Sequence, residues 1–325
     1  MANIILIPCE HSVLFSRQIS KYLPSAELGQ MPSSHFSNGE TNVNINVNIR
    51  RKHAVIVCSI KTGNVNNDFM EALLIIDACC RADVDKITLV MPYYPYSRSD
   101  KKDKPRVPIA AAMVANMLQN YTKLENVICV DLHSGQEQGF FSQGFHNLFA
   151  INYLCKYIND NYLHTNIAKK DFVLVSPDAG SIKRIKEYAR RLHMPYVILE
   201  KQRNYEQMNV VENSIIIGDI ATFLNKTGII IDDMADTMGT MISAINELVS
   251  HGIKDVIVVV THGILSGPAF DNIANCPYIR KVIVTNSVPL TDTVFDKIAV
   301  VDISELIAKT INCIETGDSI SDLFK

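Results

Sequence analysis

The chain has 325 residues, of which 47% are hydrophobic and 20% are charged, with a formal net charge of −3. This length predicts about two domains, because one hydrophobic core rarely serves a chain of that size. The weak negative charge gives no electrostatic reason to bind nucleic acid or an anionic membrane. No apolar run approaches the roughly 20 residues of a membrane span. We therefore expect a soluble protein with neither nucleic acid nor a membrane as a partner.

The eight cysteines show neither paired CxxC motifs nor the Cys/His spacing of a zinc site. Most of them lie in apolar runs, as Cys58 does after Ile56 and Val57. Such positions favour reduced core thiols over disulfides. The chain begins directly on a strand pattern, Asn3–Ile7, without the basic start of a signal peptide. These features predict a cytoplasmic location.

The first half of the chain alternates between strand and helix patterns. We predict strands at Ile4–Ile7, Val43–Ile49, Ala54–Ser59, Ile87–Met91 and Val127–Asp131. We predict helices over residues 13–22, 67–82 and 107–120. From Val43 to Ile49 apolar residues alternate with asparagines, which is the pattern of a strand with one buried face.

The second half repeats this alternation. We predict strands at Phe172–Ser176, Tyr196–Leu199, Ser214–Gly218, Gly228–Ile231, Asp255–Thr261, Lys281–Thr285 and Lys297–Asp302. We predict helices over residues 147–160, 180–192, 239–251, 267–274 and 303–315, the last of them stopped at Gly317. Strands that alternate with helices form mostly parallel sheets covered on both faces, so the pattern predicts an α/β fold.

The two halves resemble each other, which suggests a duplicated domain. We expect a first domain over residues 1–146 and a second over residues 147–325, with the last helix able to pack back on the first domain. The carboxyl ends of parallel strands meet at one edge of a sheet, and the loops at that edge carry the chemistry in such folds. The polar loops that follow predicted strands are therefore the candidate sites.

Two candidate loops lie in the first half. Phe36, between His35 and Ser37, has no periodic apolar context, so it either fills a gap in the core or offers its face to a base. Residues 93–106 follow a strand and hold five cations, which are Arg98, Lys101, Lys102, Lys104 and Arg106. Such a run is either a solvated charged loop or a binding site for polyphosphate.

Three further loops leave their roles open. His133, beside Asp131, is either a structural histidine or a group that ligates or orients a metal–nucleotide complex. Asp178 either caps the next helix or holds Mg²⁺ or a ribose. Lys201 and Arg203 end another strand, where they could project along one face of an extended loop toward a phosphoryl group.

The run from Ile229 to Thr240 is the most specific of these stretches. Three β-branched residues predict a buried strand, and Asp232 and Asp233 sit where it should end. A short polar loop and the start of a helix follow, which together make an anion site. Paired carboxylates suit ribose hydroxyls or Mg²⁺ rather than phosphate oxygens. An ordinary strand–helix turn with capping Asp and Thr is the simpler interpretation, but the full run favours a phosphoribosyl site.

Taken together, these stretches resemble the ribose-phosphate diphosphokinases, also called phosphoribosyl diphosphate synthetases, over essentially the whole chain. The matching stretches occur in the family's order, and they are Phe36–Glu40, Tyr96–Ile109, Asp131–Phe141, Ser176–Arg184, Lys201–Arg203, Ile231–Thr240, Thr261–Ala269 and Val284–Leu290. The resemblance implies two phosphoribosyltransferase-like domains. It also implies transfer of the β,γ-diphosphoryl group of ATP to the 1-hydroxyl of ribose 5-phosphate, with Mg²⁺ as cofactor and AMP released.

The resemblance also implies roles for individual residues. Ribose 5-phosphate would be bound by Asp232, Asp233, Asp236, Thr237, Met238, Gly239 and Thr240, the first two partly through Mg²⁺. ATP would be bound by Phe36, Asn38, Glu40, Arg98, Asp100 and His133. The metal would be held by His133 and Asp178, and Lys201 and Arg203 would close over the site and stabilise the transferring group. By resemblance the chain is a homo-oligomer, a hexamer built from dimers, with the Phe36 pocket donated across a subunit interface.

Four positions depart from the family pattern. The loop at Pro8–Val13 replaces a Ser-Gly-Asn-type turn, Ser99 stands where a glutamine is usual, and Ser181 replaces a second glycine. Residues 50–53 read Arg-Arg-Lys-His in place of a more acidic stretch. In relatives that last region helps form a regulatory site for phosphate or ADP. The sequence therefore predicts neither the presence nor the absence of phosphate activation and ADP inhibition.

Two other classes of function share some of these features. A phosphoribosyltransferase would share the run up to Thr240, but such enzymes are usually single-domain and need no Phe36 pocket. A non-catalytic regulatory subunit of a synthetase complex should have lost key residues. In this chain all six remain, namely Asp232, Asp233, His133, Asp178, Lys201 and Arg203. We therefore predict an active enzyme.

Overall fold

The computed structural model describes residues 3–165, 169–178, 180–203, 211–290 and 295–324, with the backbone alone described at residues 201–203, 211–214 and 220. The chain divides into two compact units. The first comprises Met1–Ala150, Asn286–Thr291 and Asp302–Lys325, and the second comprises Ile151–Thr285 and Asp292–Val301. The division falls after Ala150, where the sequence analysis places it after residue 146, and the last helix belongs to the first unit.

The first unit is built on a six-stranded parallel sheet with the strand order β2-β1-β5-β6-β7-β8. Its sheet strands are β1 (Ile4–Pro8), β2 (Ala26–Leu28), β5 (His53–Val57), β6 (Lys86–Val90), β7 (Leu124–Val130) and β8 (Gly144–Leu148). Its helices are α1 (Val13–Tyr22), α2 (Val65–Arg81), α3 (Ala110–Gln119) and α9 (Ser304–Thr316). A separate antiparallel hairpin is formed by β3 (Ser33–His35) and β4 (Thr41–Val43).

The central strands of this sheet are covered on both faces. All five residues of β1 and all five of β5 are buried, which explains why they read as continuous apolar runs rather than as alternating ones. Helix α2 contributes Phe69, Ile75 and Ile76 to the same core. The helices thus bury the sheet and leave the strand ends free to carry polar side chains.

The second unit is built on a seven-stranded sheet with the strand order β11-β10-β9-β12-β13-β14-β15. Its strands are β9 (Phe172–Ser176), β10 (Tyr196–Arg203), β11 (Val211–Ile217), β12 (Thr227–Ala235), β13 (Asp255–Gly263), β14 (Ile279–Thr285) and β15 (Ile298–Val301). Its helices are α4 (Ile151–Asn161), α5 (Ile182–Leu192), α6 (Ile220–Phe223), α7 (Gly239–Ser250) and α8 (Ala269–Asn275). All neighbouring strands are parallel except β10 and β11, which are antiparallel. The predicted α/β fold with mostly parallel sheets is confirmed.

Several predicted elements differ from the structure. The strand predicted at Val43–Ile49 is wrong, because β4 ends at Val43 and residues 44–49 form no strand. Its alternation is nevertheless real. Val43, Ile45 and Val47 pack against the core of the first unit, while the asparagines between them are exposed. The alternation therefore indicates an extended segment with one buried side, and it does not indicate a strand paired in a sheet.

Helix α9 ends at Thr316 and is capped by Gly317 as predicted, and Gly317 has a left-handed φ of +78° that favours glycine. All eight cysteines lie in the described ranges and are free, and seven of them are buried, in agreement with their assignment as core thiols. Among the described residues, no helix combines the length and the apolar character needed to cross a bilayer.

Candidate active site

The paired carboxylates lie within strand β12 rather than after its end. The strand continues past Ile231, with Asp232 paired to Val260 and Ala235 paired to Gly263 on β13. This corrects the prediction that the strand ends before Asp232. Strand β12 is the central strand of its sheet, and on it Asp233 is buried and Asp232 is partly buried.

Arg184, in the first turn of α5, partly neutralises this pair. Its Nη1 lies 3.3 Å from Oδ1 of Asp232 and 3.1 Å from Oδ1 of Asp233. Burial raises the pKa of Asp232 well above its usual range, the charge of Asp233 raises it further, and Arg184 lowers it. The raised pKa of Asp232 means that its charged form is costly, first because it is buried and then because a second carboxylate lies beside it. The pair is therefore poised to accept hydrogen bonds or a cation from a ligand.

The predicted anion-binding loop follows β12 directly. Residues 236–238 form the bend, and α7 begins at Gly239. Met238 is buried and has a φ of +66°, an uncommon conformation for a residue with a long side chain. Gly239 and Thr240 are exposed at the start of a 12-residue helix. The first N–H groups of such a helix have no partner within it, and its dipole favours an anion, so this loop can hold a phosphate.

Residues between the end of β13 and the end of α8 form hydrogen bonds with this loop. The hydroxyl of Ser266 donates a hydrogen bond to Oδ1 of Asp236, and Nδ2 of Asn272 donates one to the carbonyl of Thr237 at 2.8 Å. The backbone N–H of Leu265 donates to the carbonyl of Ala235 at 3.0 Å. Sequence reasoning missed Asn272, because nothing in its local sequence indicates a partner 35 residues away.

Asp178 lies in the loop between β9 and α5, and its side chain is exposed. Its Oδ1 accepts a hydrogen bond from the backbone N–H of Ser181 at 3.0 Å, while its carbonyl accepts one from Ser176 Oγ at 2.8 Å. These contacts correspond to the capping role left open for Asp178. One carboxylate oxygen is engaged in that cap, and the same side chain retains an exposed surface for a ligand.

The backbone of Lys201–Arg203 belongs to the end of strand β10, which corrects the prediction that this strand stops at Leu199. Lys201 pairs with Ser214 and Arg203 with Val211 on the antiparallel strand β11. The two predicted catalytic residues therefore lie on one arm of an antiparallel pair. Their side chains lie outside the described residues.

In the first unit, Phe36 lies at the tip of the β3–β4 hairpin with 55% of its surface exposed. The tip is closed by hydrogen bonds from Phe36 N to Glu40 O and from Gly39 N to Phe36 O, both at 2.9 Å, and Asn38 Oδ1 accepts Glu40 N at 3.1 Å. Asn38 and Glu40 are also exposed. The interpretation in which Phe36 fills a gap in the core is therefore excluded.

Two carboxylates fasten the base of this hairpin to the rest of the first unit. Buried Glu71 on α2 accepts hydrogen bonds from Ser33 Oγ and from the backbone N–H of Glu10. The carboxylate of Glu10 in turn lies 2.9 Å from Nε2 of His35. The hairpin is thus held at Ser33 and His35, and its tip at Phe36 projects.

The basic loop of the first unit is exposed at Arg98, and Asp100 is partly buried. The neighbouring Ser99, one of the four departures noted in the sequence, forms hydrogen bonds within its own loop. Its hydroxyl donates to Pro108 O at 3.2 Å and accepts from Ala110 N at 3.3 Å, so it links the two ends of the loop to the start of α3. Lys101, Lys102, Lys104 and Arg106 are all exposed.

His133 is exposed in the loop that follows β7, whereas its neighbour Asp131 is turned to the backbone, with Oδ2 accepting Ala150 N at 3.1 Å. Ser134 and Glu137 form a reciprocal capping box after it. Over the part of the chain that the structure describes, no three His, Cys, Asp or Glu side chains come together as a metal-binding group.

Comparisons with known proteins agree with this arrangement. Residues 4–121 match the model for the N-terminal domain of ribose phosphate pyrophosphokinase, and residues 205–325 match that for the phosphoribosyl synthetase-associated domain. The chain is 41% identical over 324 residues to a ribose-phosphate pyrophosphokinase from Aquifex aeolicus, covering 100% of both chains. The crystal structure of phosphoribosylpyrophosphate synthetase from Mycobacterium smegmatis is 34% identical, with a TM-score of 0.86 over 97% of this chain and 99% of that one. The chain therefore belongs to the ribose-phosphate pyrophosphokinase family of enzymes.

Proposed function

We propose that this enzyme transfers the β,γ-diphosphoryl group of ATP to ribose 5-phosphate, giving 5-phosphoribosyl 1-diphosphate and AMP. The oxygen of the 1-hydroxyl attacks the β-phosphorus, and the bond from that phosphorus to the oxygen bridging it to the α-phosphorus breaks. AMP leaves with the bridging oxygen, and the proton of the 1-hydroxyl is released to the solvent. Such a transfer depends on in-line positioning and on charge stabilisation more than on covalent help from the protein.

The observation that carries the proposal is the sequence of groups along β12 and into α7. Asp232 and Asp233 are followed directly by the bend at residues 236–238 and the start of a helix. Ribose 5-phosphate presents the complementary groups, hydroxyls that donate hydrogen bonds and a phosphate that accepts them. We assign its hydroxyls to the two carboxylates. We assign its 5-phosphate to Asp236, Thr237, Met238, Gly239 and Thr240, chiefly through backbone N–H groups and hydroxyls.

We assign ATP to residues of the first unit. The exposed ring of Phe36, with Asn38 and Glu40 beside it, offers a face for the adenine, and a hairpin fastened at its base supports that role. The exposed Arg98 and His133, with Asp100, would contact the rest of the nucleotide. Lys201 and Arg203 would provide positive charge where negative charge develops on the transferring group.

Mg²⁺ is the cofactor that these residues fit. Proteins usually bind Mg²⁺ through one or two carboxylates together with substrate phosphates, so a site needs no cage of three protein ligands. The carboxylate of Asp178 in the second unit is an oxygen donor of the required kind, and we assign His133 of the first unit to the metal as well. Asp232 and Asp233 would contact an ion only on the ribose side. When bound with ATP, the ion would neutralise charge on the phosphates.

We also propose a cytoplasmic homo-oligomer. Eight free thiols suit a reducing compartment. An aromatic ring that projects from a hairpin with half of its surface exposed suits a pocket completed by a second copy of the chain, in a hexamer built from dimers. Light scattering coupled to gel filtration, which measures the mass in solution, tests this assembly.

The test of the function is AMP release from Mg²⁺–ATP with and without ribose 5-phosphate. We expect AMP only when ribose 5-phosphate is present, and a kcat about 10²–10³-fold lower in Lys201→Ala, because a cation that acts in the transition state is lost. Lys254→Ala removes an exposed lysine from the second unit and should behave as the wild type.

A wild-type protein that releases no AMP over a range of phosphate concentrations would overturn the proposal. It would then favour the non-catalytic regulatory subunit. A phosphoribosyltransferase would instead consume phosphoribosyl diphosphate together with a free base. Activity of that kind, without AMP release that depends on ribose 5-phosphate, would identify the protein as a phosphoribosyltransferase.

A further inference from the structure

Asp232 is held through only one of its two carboxylate oxygens. Oδ1 accepts three hydrogen bonds, from the backbone N–H of Asp233 at 2.9 Å, from Ser181 Oγ at 3.2 Å and from Arg184 Nη1 at 3.3 Å. Within the described ranges of the chain, Oδ2 accepts none from another residue. The side chain is 20% exposed. Oδ1 is therefore fixed by three donors, whereas Oδ2 accepts no hydrogen bond from a described residue; the carboxyl group of Asp233 also contacts this side chain.

The hydroxyl of Ser181 is one of the three donors to Oδ1 of Asp232. Ser181 occupies the N-cap position of α5, where a serine side chain ordinarily accepts a hydrogen bond from the first turn of its own helix. Here it makes no such bond, and the capping contact at this helix start is made by Asp178 to the N–H of Ser181. Ser181 donates instead across to β12. The hydroxyl of Ser181 therefore supports the carboxylate of Asp232 rather than its own helix.

Arg184 contributes both geometry and charge. A single nitrogen, Nη1, lies between Oδ1 of Asp232 and Oδ1 of Asp233, so one guanidinium restrains both carboxylates at once. Its positive charge offsets the repulsion between two carboxylates on adjacent residues. Ser181 and Arg184 lie three positions apart at the start of α5, so both donors move as part of one helix.

We propose that Arg184 and Ser181 are positioning residues for the transfer reaction. By fixing Oδ1 of Asp232, they leave Oδ2 set to accept a hydroxyl of ribose 5-phosphate, and they thereby orient the 1-hydroxyl that attacks. This inference rests on the proposed function, because it takes ribose 5-phosphate as the ligand of the pair. It assigns Arg184 to ribose orientation, a role distinct from charge stabilisation at the phosphates.

The consequence is a selective effect on one substrate. Loss of Arg184 should weaken ribose 5-phosphate while leaving ATP unaffected, because the contacts of Arg184 to Asp232 and Asp233 are on the assigned ribose side. We expect Arg184→Gln to raise the KM for ribose 5-phosphate about tenfold, a factor equivalent to about 1.4 kcal/mol. The KM for ATP should stay within about twofold of the wild type. Arg184→Lys, which keeps the charge, should recover most of the loss, and Ser181→Ala should raise the same KM about threefold.

Arg190→Gln is the matched control. It makes the same change in the same helix, but Arg190 is 67% exposed and pairs with Glu187 rather than with β12. A second readout avoids turnover altogether. The affinity for ribose 5-phosphate is measured by calorimetry at saturating Mg²⁺ and α,β-methylene-ATP, in which the bond that the reaction breaks is replaced by a carbon bridge. The dissociation constant should shift by the same factor as the KM.

Equal changes in both KM values, or a lower thermal stability with both unchanged, would overturn the inference and leave Arg184 as a structural ion pair. If Arg184→Gln does not fold, Arg184→Lys and Ser181→Ala decide the question by the same split between substrates. A wild type that binds ribose 5-phosphate without releasing AMP would refute the proposed function. The dissociation constants for ribose 5-phosphate measured by calorimetry would still show whether Arg184 orients the ribose.

Discussion

The imidazole of His53 on strand β5 is completely buried, and its Nδ1 lies 2.9 Å from Oε2 of Glu315 near the end of α9. Its Nε2 lies 2.8 Å from Oγ1 of Thr88 on β6. An ionised carboxylate only accepts, so Nδ1 carries the proton, and Nε2 of the neutral ring accepts from Thr88. Lys86 also contacts Glu315 Oε2, at 3.0 Å. This cluster fastens the last helix to the sheet of the first unit, across 262 positions of sequence.

The cluster predicts an acid-sensitive first unit. Burial lowers the pKa of His53, and although Glu315 raises it, the net shift is downward. Burial raises the pKa of Glu315, but hydrogen bonds from Lys86 and His53 outweigh it, so its net pKa is lowered. In both cases the unfolded chain binds the proton first as the pH falls. The contribution of His53 is therefore complete above about pH 6.5 and is lost below it, and that of Glu315 is lost below about pH 4.5.

Thermal unfolding between pH 8 and pH 5.5 measures this dependence. We expect His53→Gln to be less stable at pH 8 by about 1.5–3 kcal/mol, because a hydrogen bond to a charged group is weakened, and to lose less stability than the wild type on acidification. His251→Gln changes a partly exposed histidine of the second unit and should keep the wild-type slope. An unchanged slope in His53→Gln would assign the acid sensitivity to another group.

A second prediction concerns thiol reactivity. Burial raises the pKa of Cys79 and of Cys155 to about 12, and it also raises that of Cys80, but Cys80 is the one cysteine that is not buried. Because the thiolate is the reactive form, we expect a thiol reagent at pH 8 to label one cysteine of the native protein slowly. Cys80→Ser should abolish that phase, and denaturation should expose all eight thiols. Rapid labelling of several cysteines in the folded protein would contradict the assignment of buried core thiols.

A third prediction tests the support of the phosphate loop. Asn272→Ala removes the hydrogen bond to the carbonyl of Thr237, so we expect the KM for ribose 5-phosphate to rise about fivefold, with a smaller change in kcat. Asn275→Ala is the matched control, since it changes an exposed asparagine of the same helix. If both variants behave alike in steady-state kinetics, the contact is not needed to hold the loop.

The sequence predicted the fold and the run along β12 well because both depend on local patterns. Buried parallel strands are continuous apolar runs, and the order of polar groups after Ile231 is a property of consecutive residues. The predicted bounds of strands were wrong where the end of a strand depends on hydrogen bonding to a neighbouring strand. The alternation after Val43 has no strand partner in the described residues, and β10 continues to Arg203 because β11 pairs with it.

The contacts that link distant residues could not be predicted in this way. Ser181 stood out in the sequence only as a departure from a glycine, whereas the structure gives it a partner 51 positions away. His53 likewise stood out as part of an altered basic stretch, and its role depends on a helix at the other end of the chain. Local periodicity holds no information about such pairs, because they arise when the sheet brings separate segments together.

The last prediction concerns Phe36 as a surface for the adenine. A ring with 55% of its surface exposed contributes little to folding, so Phe36→Ala should leave the unfolding temperature nearly unchanged. Stacking of a base on an aromatic ring is worth about 1–3 kcal/mol, so the KM for ATP should rise about tenfold or more while that for ribose 5-phosphate is unaffected. Phe36→Tyr keeps the ring and should retain activity, and Tyr22→Ala removes another exposed aromatic of the first unit as a control. An unchanged KM for ATP in Phe36→Ala would remove this residue from the nucleotide site, whereas a rise confined to that variant assigns the hairpin tip to the adenine.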